Sequence, residues 1–135
     1  MFDALDVSAS GLAAQRQRLT VIAANLANVS TTRDAAGRPE PYRRQAALLE
    51  PRAVGEAPEA VGVRVAGIAT DLSPPRRVYD PTHPDADQEG YVKYPNVDVL
   101  TEMVDALAAT RAYEANITAI EATKSMVASA LRIIA

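Results

Sequence analysis

The sequence predicts a mainly α-helical protein in which long N- and C-terminal helices pair as an elongated antiparallel coiled-coil hairpin, with a small β-containing, proline-rich central insert. All nine prolines and five of the six glycines lie between residues 31 and 97, so long helices are expected at the two ends only. Of the 135 residues, 27 are alanine and six are aromatic, which favours closely packed helices over a bulky sheet core. Apolar residues also recur at heptad spacing in both terminal segments.

The first segment, residues 1–30, is predicted to be a helix from about Asp3 to Asn28. Gly11 weakens this helix by about 1 kcal/mol relative to alanine. Asn25 and Asn28 lie near its end, where asparagine is commonly a C-terminal cap. For Asn25 the alternative is a buried hydrogen bond that fixes the register between helices. Leucines at every seventh position form an apolar stripe, and we predict that it belongs to an assembly interface made by Leu5, Leu12, Leu19, Ile22 and Leu26.

The last segment, residues 98–135, is predicted to be a helix that Asn96 or Asp98 caps. Glu102 then lies near the positive end of the helix dipole, where a carboxylate is favourable.

A second apolar stripe follows this helix and is interrupted at Thr110 and Lys124. Tyr113 is expected to be a core residue, and Lys124 either extends its ammonium group to solvent or pairs with an acid of a neighbouring subunit. The stripe is broader than one partner helix covers. Its predicted interface residues are Met103, Leu107, Tyr113, Ile117, Ile120, Val127, Leu131 and Ile134.

The predicted helices are too long for a small globule. Helices of about 26 and about 37 residues span about 39 Å and about 55 Å, because an α-helix rises 1.5 Å per residue. A compact chain of this length has a radius of gyration of about 14 Å. Part of the apolar stripes therefore lacks an intramolecular cover, which predicts an oligomer or a larger assembly.

The central segment, residues 31–97, predicts short strands only, because prolines interrupt every candidate. Tyr42–Leu49 is one predicted strand. Alternating valines from position 61 to position 65 indicate a second, and Arg76–Tyr79 indicates a third.

Charge and motif content argue against catalysis, metal binding and nucleic-acid binding. Fourteen basic and seventeen acidic residues give a net charge of −3 without a basic face. The chain has no cysteine and one histidine, His83. Asp85 opens a stretch like an EF-hand loop, but the twelfth position is Asn96 where calcium needs a bidentate glutamate. We therefore expect no catalytic residue, no metal site and no cofactor.

No membrane span and no cleaved signal peptide are expected either. The longest uncharged stretch, from Leu19 to Thr32, is shorter than the roughly 20 apolar residues of a membrane-spanning helix. Asn25 and Asn28 interrupt its apolar run, and Asp3 and Asp6 precede it, which is atypical of a secretory signal.

Several stretches together resemble the bacterial flagellar axial proteins, and among them the basal-body rod proteins. They are Ser10–Arg16, Asn25–Thr32, Asp80–Asp87, Gly90–Asp98, Glu102–Asp105, Arg111–Asn116 and Lys124–Met126. The residues that match the family motifs are Asn25, Asn28, Thr31, Thr32, Asp80, Pro81, His83, Pro84, Gly90, Tyr91, Pro95, Asn96, Asp98 and Glu102.

The resemblance implies a structural subunit of the proximal rod, which crosses the periplasm and transmits torque. Its terminal helices would assemble into a hollow axial tube, after export through the flagellar type III apparatus without a cleaved signal peptide. Implied partners are further copies of the chain, the rod proteins FlgB, FlgF and FlgG, the adaptor FliE and the export apparatus, with no nucleic acid and no small-molecule substrate.

Two alternatives remain open at this point. A soluble coiled-coil adaptor or export chaperone of the flagellar system would share the heptads but would not need the Gly90–Asp98 stretch. A peptidoglycan-cleaving enzyme would need paired carboxylates in a cleft, which the sequence does not display.

Overall fold

In a computed structural model, which describes residues 2–55 and 60–134, two terminal helices flank four strands. Helix α1 spans Phe2–Ala27 and helix α2 spans Val99–Ile134. The strands are Gln45–Ala53 (β1), Val61–Thr70 (β2), Arg76–Tyr79 (β3) and Tyr91–Tyr94 (β4). The predicted terminal helices are therefore confirmed. Neither helix is apolar enough over its described length to cross a membrane.

Asp98 caps the start of α2. Its carboxylate accepts hydrogen bonds from the Leu100 N–H at 3.0 Å and from the Thr101 hydroxyl at 2.9 Å. These bonds, that of Thr101 above all, lower the pKa of Asp98, because they stabilise its charged form. The helix begins directly after this residue, so of the two predicted caps Asp98 is confirmed and Asn96 is wrong.

The insert forms two separate antiparallel hairpins. In the first, Gln45 pairs with Thr70 and Ala53 pairs with Val61, with a β-bulge between Leu48 and Leu49. Pro51 is tolerated inside β1 because each strand of a two-stranded sheet has an open edge.

In the second hairpin β3 pairs with β4. The predicted strand at residues 42–49 thus begins and ends later than expected, and β4 was not predicted. Four residues ahead of Pro95 are too few to show a period-two pattern.

The two helices contact each other in antiparallel order. Gly11 lies beside Asn116, Arg18 forms an ion pair with Asp105 at 3.3 Å, and Asn25 bonds to Glu102. A Cβ atom at Gly11 would lie 2.8 Å from the Asn116 Oδ1 atom. This glycine therefore permits the close approach of the helices, and its intrinsic cost to α1 is offset by that packing.

The residues through which α2 contacts α1 differ from the predicted stripe at every second position. Glu102, Ala109 and Thr123 are buried, while the residues that follow them are exposed. The positions common to both sets, which are half-buried, are Ala106, Tyr113, Ile120 and Val127. The predicted stripe residues that prove to be exposed are Met103, Leu107, Ile117 and Leu131, and the two interruptions Thr110 and Lys124 are exposed as well.

Helix α1 shows the same displacement by one residue. Gly11, Arg18 and Asn25 face α2, while the leucine that follows each of them is half-buried beside the contact. The heptad period is confirmed, and the α1 residues that face α2 lie one position before the predicted leucines. Small and polar residues occupy the contact because they permit close approach and hydrogen bonds, which bulky side chains prevent.

The first hairpin packs against α1 on a further face. The Val63 N–H donates to the Ser10 hydroxyl oxygen at 3.0 Å, and that hydroxyl donates to the Val7 carbonyl at 2.7 Å. Among the described elements α2 packs against α1 alone, so the other side of α2 is open.

Replacing Gly11 with leucine should lower the free energy of unfolding by about 1–2 kcal/mol. Overpacking costs about 1–3 kcal/mol, and the better helix propensity of leucine offsets up to about 1 kcal/mol of it. Urea unfolding followed by circular dichroism measures the effect. The matched control is Ala13→Leu, an exposed position of the same helix, which should stay within about 0.5 kcal/mol of the parent. Equal stability of the two variants would contradict the close contact.

Candidate assembly interface

A buried polar network joins the two helices to the insert, and Asn25 lies at its centre. The side chain of Asn25 is fully buried and donates to the Glu102 carboxylate at 3.0 Å and to the Gln45 carbonyl at 2.8 Å. Its oxygen accepts from the Gln45 N–H at 2.9 Å and from the Tyr42 hydroxyl at 3.0 Å. All four hydrogen bonds of a primary amide are thus made, and the predicted interhelical hydrogen bond of Asn25 is confirmed.

Glu102 is also fully buried, and its charge is balanced inside the network. Its second oxygen accepts a hydrogen bond from the Arg44 Nε atom at 2.5 Å. Arg44 also lies 3.6 Å from the Asp105 carboxylate, which pairs with Arg18. Two cations therefore face two carboxylates, as a buried charge requires. Glu102 was expected to interact with the helix dipole, and the structure gives it direct partners in Asn25 and Arg44 as well.

Tyr42 lies at the edge of the network. Burial of the phenol raises its pKa, and the negative charge of Glu102 raises it further. The hydroxyl therefore stays protonated and remains a donor to Asn25.

Asn28, unlike Asn25, closes the end of α1. Its amide nitrogen donates to the Ala24 carbonyl at 2.9 Å, and its oxygen accepts from the Thr31 hydroxyl at 3.1 Å. The cap interpretation is thus confirmed for Asn28 and wrong for Asn25, whose side chain bonds across to other elements.

The family-motif loop between β3 and β4 is anchored to the segment that follows α1. The Asp85 carboxylate accepts from the Thr32 hydroxyl and from the Arg33 Nε atom, each at 2.8 Å. The Asp85 N–H donates to the His83 Nδ1 atom at 3.1 Å. Motif residues that are distant in sequence, such as Thr32 and His83, are brought together here.

Local turns give this loop its shape. The Asp87 carboxylate accepts from the N–H groups of Glu89 and Tyr91, each at 2.9 Å. Gly90 adopts a φ of +83°, and a Cβ atom there would lie 2.9 Å from the Tyr79 ring. The Asp87 carboxylate thus shapes the backbone of the loop, while the Asp85 carboxylate anchors it. No three metal-ligating side chains converge anywhere in residues 2–55 and 60–134.

A patch of large apolar side chains lies on the side of α2 that faces away from α1. Leu100, Met103, Val104 and Leu107, which we call the outer patch, are 71%, 56%, 60% and 60% exposed. Met126, Leu131 and Ile133 are exposed near the end of the helix.

The predicted interface residues fall into four groups. Ile22 is buried. The half-buried ones are Leu5, Leu12, Leu19, Leu26, Tyr113, Ile120 and Val127. The exposed ones are Met103, Leu107, Ile117 and Leu131, and the side chain of Ile134 is outside the described part of the structure.

Sequence reasoning missed Arg44, Tyr42 and Arg18 as members of the network. Residue type alone gave no signal for these three residues, because their partners are far away along the chain. The one available signal was the pair of polar residues Asn25 and Glu102, which lie near the end of the first predicted helix and near the start of the last.

Known protein families match both halves of this arrangement. The family described as "Flagella basal body rod protein" matches residues 5–33, and that described as "Flagellar basal body rod FlgEFG protein C-terminal" matches residues 88–133. The flagellar basal-body rod protein FlgC of Bacillus subtilis is 47% identical, covering 98% of this chain and 97% of its own length. The chain belongs to the FlgC family of flagellar basal-body rod proteins.

Two further FlgC proteins show the same extent of similarity. That of Borreliella burgdorferi is 45% identical over 99% of this chain and 97% of its own, and that of Escherichia coli O157:H7 is 41% identical over 97% and 96%. The chain is thus a structural subunit of the flagellar basal-body rod, and the resemblance noted from its motifs is confirmed. The two family matches divide the network, with Asn25 in the N-terminal match and Glu102 in the C-terminal one.

Replacing Asn25 with alanine should lower the free energy of unfolding by about 2–4 kcal/mol, because it removes four hydrogen bonds from a fully buried site and takes the Asn25 donor from one oxygen of the buried Glu102 carboxylate. Asn28→Ala, which removes a cap at the same helix end, should cost about 1 kcal/mol. Urea unfolding compares the two. A loss for Asn25→Ala no larger than for Asn28→Ala would show that the network contributes little.

The Asp85 anchor should depend on pH. The hydrogen bond from Arg33, and then that from Thr32, lower the pKa of Asp85. A carboxyl whose pKa is lower in the folded state stabilises the fold above its unfolded value, near 3.9, and loses this contribution as the pH falls through the folded value.

Asp85→Asn should therefore flatten the fall in unfolding free energy between about pH 5 and about pH 2. Urea unfolding at several pH values measures the slope. Glu40→Gln, at an exposed position, is the control and should keep the parental slope. A parental slope in Asp85→Asn would refute the anchor.

Proposed function

We propose that this chain is a subunit of the proximal rod, in which it assembles through its terminal helices into a hollow axial tube that transmits torque. The outer patch is the observation that carries this proposal. Four large apolar side chains are more than half exposed on one face of a helix that, among the described elements, packs against α1 alone. Contiguous apolar surface of this kind marks protein interfaces.

The end of α2 offers further contact surface. Because Gly11 lies beside Asn116 and the helices run antiparallel, the first residue of α1 lies level with about residue 125 of α2. The last nine or so residues of α2 therefore extend about 13 Å beyond α1. Exposed Leu131 and Ile133 lie on this extension, where a neighbouring subunit would bury them.

The open surfaces of the two helices differ from each other. The outer patch is on α2, and the half-buried leucines are on α1. A contact between two different surfaces of identical subunits is heterologous, and it forms an open helical assembly where the rotation does not close a ring. We take the helix pair to be an antiparallel coiled-coil hairpin that joins such an assembly as one unit.

The wider setting follows from the family. We expect further copies of the chain, FlgB, FlgF, FlgG and FliE as neighbours, export through the flagellar type III apparatus, a location across the periplasm, and no enzymatic activity. Intact basal bodies purified from cells should contain the protein. Recovery as a discrete cytoplasmic dimer would instead support the adaptor or chaperone alternative.

Leu107→Asp should abolish rod assembly and motility, because it puts an unpaired charge into the proposed contact. The stability of the isolated chain should change by less than about 0.5 kcal/mol, since the position is exposed in the single subunit. Thr118→Asp, at an exposed position of the same helix, is the matched control and should remain motile. Swimming assays and urea unfolding test both parts, and normal swimming of Leu107→Asp would refute an interface at the outer patch.

A further inference from the structure

Helix α2 has an alternative set of positions through which it could pair with α1. The exposed residues that follow the buried positions of α2 include the larger apolar side chains of the stripe. Successive residues lie about 100° apart around a helix, and half of each set is shared, so exchanging the sets rotates the buried stripe by about 50°. The two sets differ in Glu102, Ala109, Asn116 and Thr123 on one side and Met103, Thr110, Ile117 and Lys124 on the other.

Apolar burial alone favours the rotation that is not observed. The observed rotation leaves Met103 56% exposed and Ile117 37% exposed, while Glu102 is completely buried. Turning α2 toward the alternative set would cover both apolar side chains, which the hydrophobic effect favours. At the start of α2, a directional interaction is therefore needed to keep Glu102 inside and Met103 outside. Toward the other end, burial of Lys124 would also oppose the turn.

The buried network supplies that interaction. Rotation of α2 would carry the Glu102 carboxylate away from Asn25 and Arg44, and would separate Asp105 from Arg18 and Arg44. A buried carboxylate or amide that loses its partners is costly. In coiled coils a single buried asparagine selects one register in the same way, at some cost in stability.

We propose that the hydrogen bonds of Asn25, Glu102 and Arg44 are a rotational lock that holds α2 with its polar residues inward and its outer patch outward. The lock keeps Met103 within the outer patch that faces a second rod subunit, and it prevents the helix pair from covering Met103 and Ile117 itself. That the patch meets a second subunit rests on the proposed function. The lock itself rests on the contacts within one chain, so the two are tested separately.

Single cysteines at two threonines report the rotation of α2. Thr110 is exposed and belongs to the alternative set, whereas Thr123 is 8% exposed and belongs to the observed set. Each hydroxyl donates to the carbonyl four residues earlier at 2.9 Å, so Thr110→Cys and Thr123→Cys are matched replacements. The chain has no other cysteine.

The reaction rate of each thiol with a small disulfide reagent is measured on the purified full chain. In the parent the thiol at position 110 should react faster than that at 123, because burial protects a thiol. The lock is then removed by Asn25→Leu with Glu102→Leu, which replaces both polar partners with apolar groups. The ratio of the two rates should fall by about tenfold or more and invert.

Each other result overturns the lock. A parental ratio in the double leucine variant shows that other contacts set the rotation. Fast reaction at both positions, in the parent or in the variant, shows that the network does not select between two packed rotations. Glu102→Gln, which keeps the shape and removes the charge, gives a second reading and should shift the ratio in the same direction. Arg111→Gln, which removes the exposed ion pair with Glu114, is the control and should leave it unchanged.

Rod assembly by the double leucine variant in cells separates the lock from the proposed function. An inverted thiol ratio together with lost assembly supports both. An inverted ratio with normal assembly supports the lock and contradicts a place for Met103 in the contact between subunits.

Discussion

The fully buried amide of Asn25 makes hydrogen bonds to residues 20 and 77 positions away, and the rest of the structure depends on them. A primary amide is tolerated in a protein interior only when its donors and acceptors are all paired. Pairing here requires the end of α1, the first residue of β1 and the start of α2 to be in place together. The network therefore joins three segments that have no local reason to meet, and it sets the position of each relative to the others.

Helix α1 is the element that the other parts contact. Helix α2 packs along one face of it, and the first hairpin packs on another through the Ser10 hydroxyl. The loop between β3 and β4 is attached just beyond the end of α1, where Asp85 binds Thr32 and Arg33. Each attachment is made by a polar side chain that needs a partner in a fixed direction. These interactions therefore contribute geometric specificity, and they bury little apolar surface.

The distribution of apolar surface follows from this use of polar contacts. Glu102 is buried against α1, while Leu100 and Leu107 face outward on the same turns of α2. Such an arrangement is unfavourable for an isolated small protein, since large apolar side chains remain in water. In a rod subunit, the proposed contacts between subunits would supply the missing burial. The buried carboxylate and the exposed leucines on these turns of α2 are therefore consistent with membership of the FlgC family.

The sequence by itself determined the existence and the approximate bounds of the terminal helices and the heptad period, because proline placement and hydrophobic spacing are local properties. It narrowed the cap of α2 to Asn96 or Asp98 without choosing between them. Its motifs also identified the family. The sequence did not predict the face on which the helices meet. Hydrophobic spacing reports where apolar side chains recur, and it carries no information about hydrogen bonds between buried polar groups. Only the tertiary structure shows that Gly11, Asn25 and Glu102 occupy the contact, because close approach and the pairing of buried polar groups depend on atoms that the chain brings together from distant positions.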